Sequence, residues 1–355
     1  MLRSIEIRDF RCIEHAQLEF HERGTGIVGG NAAGKTSLLE AIYFLTHGRS
    51  FRTAMRARLI RRGAELFRVV AAIQNQATEL VAGAEHGRGE TQLRLAGRGV
   101  SGVSEIAEVL PIQVIDPGVH RLIDEGSVRR RRLLDWGVFH VKHDFVHGWR
   151  RYQRALAQRN SALRARLDEG VIAAWDRELT DASTGIDAAR QDYANTLADE
   201  FETLAADFLG EAVELEYRRG WAGDVTLGEA LVSALDRDRR LGTTSVGAHR
   251  ADLVIRVDGV LARDRVSRGQ QKVLASALIL GQIRALTRLT GQRETCLLLD
   301  DPAAELDVDK LGKLLQAIDQ IPAQLIVSSV TESGLRGIEI GRKFHVEQGR
   351  FTPML

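Results

Sequence analysis

The sequence predicts an α/β protein whose main sheet is assembled from two distant segments of chain, with helices inserted between them. Three observations predict this class. Short apolar runs alternate with helical periodicity at both ends of the 355-residue chain. Between about residues 119 and 209 the pattern changes to that of long amphipathic helices. The length favours two compact domains, or one large domain with an insertion.

The N-terminal region predicts short strands around a glycine-containing turn and one helix. Helical spacing of apolar residues covers 37–46, directly after the turn at 29–34. Strands are expected over 4–7, 17–20, 68–74, 79–84, 91–95 and 109–115.

The pattern in the middle region predicts long helices. The pattern in the C-terminal region again predicts alternating strands and helices. Gly185 lies inside the longest apolar stripe and costs about 1 kcal/mol relative to alanine, so a helix break there is one alternative. The chain has too few heptads for a long coiled coil, which favours an ordinary helical subdomain. The stripe comprises residues 179, 182, 186, 189, 193, 197, 201, 204 and 208. Further on, strands are expected over 213–217, 253–257, 295–299, 324–328 and 343–348, and helices over 273–289 and 311–318. The predicted domain boundaries are therefore 1–118, 119–209 and 210–355.

The composition excludes several classes of protein. Only two cysteines occur, Cys12 and Cys296, which excludes a disulfide scaffold and a cysteine-based zinc site and suits a reducing compartment. The longest apolar run, 273–280, is far shorter than a membrane span, and the N-terminus has no signal-peptide pattern. We expect a cytoplasmic protein with no membrane partner.

The near-zero net charge of +1 conceals strong local asymmetry. Residues 49–68 contain seven arginines and one acid, and residues 121–166 contain twelve basic residues and four acids. Residues 167–216 contain fourteen acids and two arginines. Adjacent basic and acidic blocks indicate two surfaces with different partners, and the alternative is that each run is a solvated helix face.

A phosphate-binding loop is the clearest chemical motif. The motif G-x-x-x-x-G-K-[ST] matches a run that follows a predicted strand and begins a helix. In such a loop backbone N–H groups surround phosphate oxygens, Lys35 reaches the β- and γ-phosphates, and the Thr36 hydroxyl binds Mg²⁺. The matching residues are Gly29, Gly30, Asn31, Ala32, Ala33, Gly34, Lys35 and Thr36. The sequence therefore predicts a site for ATP and Mg²⁺.

Two acids after a buried strand complete the predicted catalytic set. Asp300 and Asp301 follow the apolar run 295–299. Asp300 is expected to hold Mg²⁺, and Asp301 to lie beside the attacking water. A third segment, Val266-Ser-Arg-Gly-Gln270, begins the buried C-terminal helix, where Ser267 and Gly269 at a helix N-terminus suit a phosphate.

The order of these three motifs resembles that of the ABC-type ATPases. The resemblance implies that Ser267, Gly269 and Gln270 meet the γ-phosphate held by the loop of a second subunit, so that ATP drives homodimer formation. It also implies that residues 304–307 form the D-loop. We call the segment 266–270 the signature; in a transporter subunit the interval between the phosphate-binding loop and the signature is shorter. A transporter subunit also has a switch histidine after the fourth strand, where this chain offers only Ser328 or Thr331.

Within that superfamily the chain resembles the RecF family along its whole length. The similar segments are Ile7–Arg11, His47–Arg52, Arg130–Trp136, Gln158–Asn160, Gly247–Leu253 and Leu299–Asp301. One departure is Ala32, where the family usually has glycine, so the turn is less permissive there.

The resemblance implies an ABC-type ATPase head, made of 1–118 and 210–355, with a short helical arm, 119–209. It implies a weak, Mg²⁺-dependent, DNA-stimulated ATPase that acts in recombinational repair and replication restart, on duplex DNA near single-strand gaps, with RecR and RecO as partners. Asp301 is one methylene shorter than the usual ABC glutamate, so we expect slow hydrolysis. Arg130, Arg131 and Arg132 are the candidate DNA contacts. The alternatives are a transporter ATPase subunit and a DNA clamp that binds ATP without turnover.

Overall fold

A computed structural model describes residues 1–75, 78–291, 295–302, 306 and 308–354. The chain forms two compact units. The first combines Met1–Val119 with Gly291–Leu355, and the second is His120–Thr290. One unit is thus built from both ends of the chain. The boundaries differ from the predicted ones, because residues 210–290 group with the helical insert and not with the C-terminal segment.

The first unit contains a six-stranded antiparallel sheet formed wholly by N-terminal residues. Alternating buried and exposed positions along these strands show that one face packs on the core. Its strand order is β2 (Ile13–Glu19), β1 (Leu2–Phe10), β4 (Leu66–Asn75), β5 (Thr78–Gly87), β6 (Glu90–Leu95) and β7 (Arg98–Val100).

The second sheet joins the two ends of the chain. Its order is β15 (Arg350–Met354), β14 (Arg342–Glu347), β3 (Gly24–Val28), β13 (Ala323–Ser329), β12 (Thr295–Asp300) and β8 (Ile112–Ile115). All neighbours in this sheet are parallel except the antiparallel pair β14 and β15. The carboxyl ends of β3, β13 and β12 therefore lie side by side at one edge, where α/β proteins bind ligands.

Helix α1 (Lys35–His47) fills the core of the first unit. It contacts β1, β4 and β5 of one sheet and β8, β12 and β13 of the other. Because both sides of the helix face a sheet, its side chains from Leu38 to Leu45 are buried all round. Two shorter helices, α2 (Ser104–Val109) and α10 (Val308–Asp319), complete the unit. The strand predicted over 109–115 is only Ile112–Ile115, since α2 extends to Val109 and is followed by Leu110 and Pro111.

The second unit is mainly helical. Its small sheet has the order β11 (Val260–Leu261), β10 (Asp252–Val257) and β9 (Val213–Arg218). Its helices are α3 (Arg121–Asp124), α4 (Ser127–Val141), α5 (Phe145–Arg164), α6 (Glu169–Leu209), α7 (Leu227–Leu241), α8 (Ala262–Arg265) and α9 (Arg268–Thr290).

Helix α6 is the long helix that the apolar stripe predicts. It runs for 41 residues without a break at Gly185, and every position of the predicted stripe is buried. The stripe packs on α5 and α9 of the same unit. Helix α7 was not predicted from the sequence, although its capping box, Thr226 with Glu229, is a recognised helix-start signal.

Helix α9 is the central helix of the second unit. Among the described helices it is the one with the length and mean hydropathy of a membrane span, 1.2 over 18 residues, but 72% of that window is buried inside the protein. Gly281 allows α9 to approach the backbone of α6 at Phe201, where a side chain would leave little room. The helix therefore has the burial of a core helix.

A buried ion cluster holds the second unit together. The Arg159 side chain is fully buried and its guanidinium donates to Asp176 and, at 2.7 Å, to Asp238. It also donates to Thr244 Oγ1 at 3.0 Å, and Thr244 in turn donates to Asn160 Oδ1. Three segments distant in sequence are thus joined by one side chain.

The Arg159→Leu variant should lower the free energy of unfolding by about 3–5 kcal/mol, because two buried carboxylates lose their counter-charge. Urea unfolding followed by circular dichroism measures this change. Arg151→Leu, on the same helix, removes an exposed pair with Glu178 and serves as the control. Equal midpoints for the two variants would contradict the assigned role of Arg159.

Candidate functional site

The loop after β3 has the geometry of an anion-binding cradle. Gly29 lies against the backbone of Val346, where a Cβ would overlap the Val346 carbonyl oxygen. Gly34 precedes α1 with φ of 121°, a left-handed value that favours glycine. The first turn of α1 has no acidic residue and no side-chain cap, so its backbone N–H groups are available to an anion.

Lys35 lies at the centre of this loop. Its side chain is nearly buried, and Nζ donates to the carbonyl oxygens of Gly29 at 2.6 Å and Gly30 at 2.8 Å. Both acceptors are neutral. The loop therefore curls around an ammonium group whose two acceptors are carbonyl oxygens, so it can pair with an incoming anion.

Asp300 joins the loop to the two neighbouring strands. Thr36 Oγ1 donates to its carboxylate, 2.9 Å from Oδ1, and Ser328 Oγ donates to the same oxygen at 2.8 Å. Asp300 ends β12, Ser328 lies near the end of β13, and Thr36 begins α1 after β3. Of the two candidate switch residues, Ser328 therefore reaches the site, whereas Thr331 bonds to Ser333 at 2.8 Å.

Asp301 lies beside this group in a constrained backbone conformation. Its φ is 51°, in the left-handed region, and its N–H donates to Ser328 O at 3.2 Å and Ser328 Oγ at 3.0 Å. Burial raises the pKa of the Asp301 carboxyl above its ordinary value; the charge of Lys35 opposes the rise and that of Asp300 adds to it. The carboxylate is thus close to the site but harder to ionise than a solvated aspartate.

The residues present fit a nucleoside triphosphate with a magnesium ion. The loop offers N–H donors and one ammonium group, which match phosphate oxygens. Thr36 and Asp300 offer oxygen ligands 2.9 Å apart, the type that Mg²⁺ prefers. No cluster of three or more metal-ligating side chains occurs in the described part of the chain.

Ala32 has the unfavourable conformation that its position predicts. Its φ is 61°, where an L-residue other than glycine costs roughly 1–2 kcal/mol. The loop keeps its shape despite this cost, and Asn31 and Ala33 on either side have no positive φ.

The predicted signature residues lie in the second unit, at the start of α9. Ser267 N donates to Gln270 Oε1 at 2.9 Å, and Gln270 N donates to Ser267 Oγ at 3.4 Å, which makes a capping box. Ser267 is exposed, and the first turn of this 23-residue helix has no acidic residue. Gly269 lies in that same turn. The N-terminus of α9 can thus receive an anion from outside the chain. Of the predicted D-loop, 304, 305 and 307 lie outside the described residues.

Arg130 and Arg131, two of the three predicted DNA contacts, have internal partners in the structure. Arg130 pairs with both carboxylate oxygens of Asp252, at 2.9 and 3.0 Å, and donates to the carbonyl oxygens of Leu122 and Glu125. Arg131 donates to Ala251 O at 2.6 Å. Both guanidinium groups therefore hold the second unit together. The Arg132 side chain is exposed.

A contact from the C-terminal hairpin, which was not predicted from the sequence, supports the loop. Between β14 and β15 the N–H of Gly349 donates to Ala33 O at 2.7 Å. Gly349 has φ of 77°, and a Cβ there would overlap the carbonyl oxygen of Cys12. The hairpin turn, the turn between β1 and β2, and the phosphate-binding loop are therefore packed together with no space for a side chain.

Comparisons with known proteins agree with this geometry. Residues 1–350 match the family model of the RecF/RecN/SMC N-terminal domain. The DNA replication and repair protein RecF of Pectobacterium atrosepticum is 39% identical over 351 residues, 98% of this chain and 97% of that protein. RecF of Yersinia pestis is 39% identical over 349 residues, 97% of this chain and 96% of that protein. This chain belongs to the RecF family.

Solved structures show the same fold. The structure of the recombination mediator protein RecF with ATP in the RecFOR pathway has a TM-score of 0.90 and 25% identity, and covers 100% of this chain and 97% of that one. An SMC head bound to the C-terminal winged-helix domain of ScpA has a TM-score of 0.60 at 17% identity, covering 99% of this chain and 96% of that one, and shows the fold alone. The expected ABC-type ATPase head with a helical insert is confirmed.

Gly349→Ala should weaken ATP binding by about tenfold or more, because a strained turn that displaces Ala33 costs upwards of about 1.4 kcal/mol. Titration with a fluorescent ATP analogue measures this. Gly337→Ala is the matched control: its φ of 84° carries a similar backbone cost, and its near neighbour is Leu315. The assigned role of the hairpin turn is wrong if both variants bind the analogue equally well.

Proposed function

We propose that this chain is an ATP-dependent DNA-binding protein that acts in recombinational repair and replication restart at single-strand gaps. The observation that carries the proposal is the joining of Lys35, Thr36 and Asp300 at one sheet edge, in a chain of the RecF family. Relatives named for DNA replication and repair, and one of known structure with ATP, support it.

The roles of the site residues follow from their positions. The backbone N–H groups of residues 29–36 surround the triphosphate. The Lys35 ammonium group exchanges its loop carbonyl acceptors for oxygens of the β- and γ-phosphates. Thr36 and Asp300 would hold Mg²⁺, which would supply positive charge beside the phosphate oxygens. Asp301 orients the attacking water.

Hydrolysis is slow in this proposal for a reason that lies in Asp301. Its side chain is one methylene shorter than glutamate, so it reaches less far towards the water. Slow turnover of ATP suits a timing switch. DNA stimulates this hydrolysis.

ATP joins two copies of the chain. The exposed N-terminus of α9 supplies Ser267, Gly269 and Gln270 to the γ-phosphate held by the loop of a second copy. Each site is thus incomplete in the monomer.

The partners of the dimer are duplex DNA near gaps and, by family, RecR and RecO. The RecFOR pathway named for one relative supports these two proteins as partners.

ATP should tighten binding to gapped and duplex DNA more than to single-stranded DNA, because the dimer doubles the DNA contacts. Fluorescence anisotropy with the three substrates, with and without ATP, tests this. Lys35→Met removes the ammonium that pairs with the phosphates and should abolish the ATP effect. Binding that is equal with and without ATP, for every substrate, would contradict the proposal. A phosphate-release assay with DNA separates it from a clamp without turnover.

Ser267→Arg should leave ATP binding intact and prevent dimer formation, since a bulky cation replaces a small phosphate-binding hydroxyl. Multi-angle light scattering with Mg²⁺ and ATP should show a dimer for the wild type and a monomer for the variant. If the variant dimerises normally, residues 266–270 of one copy do not contact the γ-phosphate bound by the other, and the proposal is refuted.

A further inference from the structure

The residues after α1 form an exposed basic surface that the site described above does not use. We call residues 49–62 the arginine segment; it contains no acidic residue. The side chains of Arg52, Arg56, Arg58 and Arg62 are exposed, and none of the four makes an ion pair or side-chain hydrogen bond with any residue that the structure describes. They contrast with Arg130 and Arg131, whose guanidinium groups are bound internally.

The end of the arginine segment is fixed to the antiparallel sheet. Arg61 pairs with Asp9, with Nε 2.6 Å from Oδ1, and its N–H donates to Asp9 O. Leu59 is fully buried, and its carbonyl oxygen accepts from Arg11 N at 2.7 Å. The exposed arginines are therefore presented by an anchored backbone.

The start of the segment is fixed to the phosphate-loop helix through Glu40. Ser50 Oγ donates to the Glu40 carboxylate and accepts the N–H groups of Arg52 at 2.8 Å and Thr53 at 3.1 Å. Arg11 binds the same carboxylate twice, with Nη2 2.7 Å from Oε1 and Nε 3.1 Å from Oε2. Glu40 is thus shared by the segment and by the turn between β1 and β2.

The burial of the Glu40 carboxylate indicates a specific role for this side chain. Its side chain is 1% exposed, and a buried carboxylate is costly unless every oxygen is paired. It lies five residues after Lys35 on α1, about 7.5 Å along the helix axis. Arg11 also donates to Arg58 O at 3.1 Å, and its neighbour Cys12 has Sγ 3.5 Å from Ser37 Oγ in the first turn of α1. The arginine segment is therefore connected to α1 through the contacts of Arg11 and Cys12, and the contact of Cys12 lies in the first turn of α1.

We propose that the arginine segment binds the phosphate backbone of DNA, and that Glu40 is the positioning residue that couples this surface to the ATP site. The inference rests on the proposed function. The segment offers charge and little apolar area, Met55 being its one exposed large apolar side chain, which suits phosphate contacts better than the apolar core of a protein interface. DNA bound to residues 52–62 stabilises the arrangement of Glu40, Arg11 and Ser50 around α1.

The surface is tested by replacing Arg56, Arg58 and Arg62 together with alanine in the full chain. Three phosphate contacts are lost, so the slope of log K against log salt for duplex DNA should become less steep by about 2 to 3. Replacing Arg150, Arg154 and Arg166, three exposed arginines of the second unit, removes the same charge and should change the slope little. An equal effect of the two triple variants, or an unchanged slope in the first, overturns the proposed surface and favours an acidic protein as its partner.

The coupling is tested by Glu40→Gln, which keeps the shape of the side chain and removes its charge. The measured quantity is the factor by which ATP tightens duplex binding, which is typically about 5- to 150-fold for coupled sites. We expect this factor to fall to below about twofold in Glu40→Gln and to keep its wild-type value in Glu85→Gln, where an exposed pair with Arg68 is lost. A purely structural role would change stability, measured by thermal unfolding, without changing the factor.

The outcomes distinguish this inference from the proposed function. If ATP has no effect on DNA binding by the wild type, the proposed function fails. If the wild type shows the effect and Glu40→Gln keeps it in full, the coupling fails alone. Should Glu40→Gln not fold, Ser50→Ala, which leaves the pair of Glu40 with Arg11, replaces it; an undiminished factor in that variant overturns the coupling.

Discussion

The carboxylate of Asp300 is the group on which the arrangement of the nucleotide site depends. It accepts hydrogen bonds and cannot donate them, so its burial requires donors at fixed positions. Thr36 supplies one donor from the start of α1, which follows β3, and Ser328 supplies the other from β13, the strand beside β12. They meet because β3, β13 and β12 are adjacent and parallel, which requires both ends of the chain in one sheet. Neither end alone can form the site.

The second unit depends on a related constraint, in which the buried charges are positive. The side chains of Arg159 and Arg190 are fully buried and are paired with carboxylates, Arg190 with Asp135 at 2.8 Å. Arg190 also binds Ala248 O, and Tyr152 contacts His249 at 2.9 Å. Several segments through which the sequence resembles the RecF family therefore meet inside this unit. Their role in the described structure is to hold the helices and the small sheet together.

Local sequence signals predicted most elements, and the errors have identifiable causes. The stripe of α6 and the alternation of β4 and β5 are properties of consecutive residues, so the helix and the strands were found. Gly185 does not break α6 because packing on α5 and α9 outweighs a cost of about 1 kcal/mol. The boundary predicted at 209 and 210 does not coincide with a boundary between the compact units, since α9 packs on α6 and groups with the insert.

The sequence by itself determined the phosphate-binding loop, the helix that follows it, the acids after β12 and the family. These are contiguous patterns, whose turn, N-terminus and strand end are fixed by neighbouring residues. Only the tertiary structure decided which arginines remain free, that Ser328 and not Thr331 reaches Asp300, and that Gly349 supports the loop. A run of charge does not reveal its partners: the carboxylate that binds Arg130 lies 122 residues away, and only folding brings the two together.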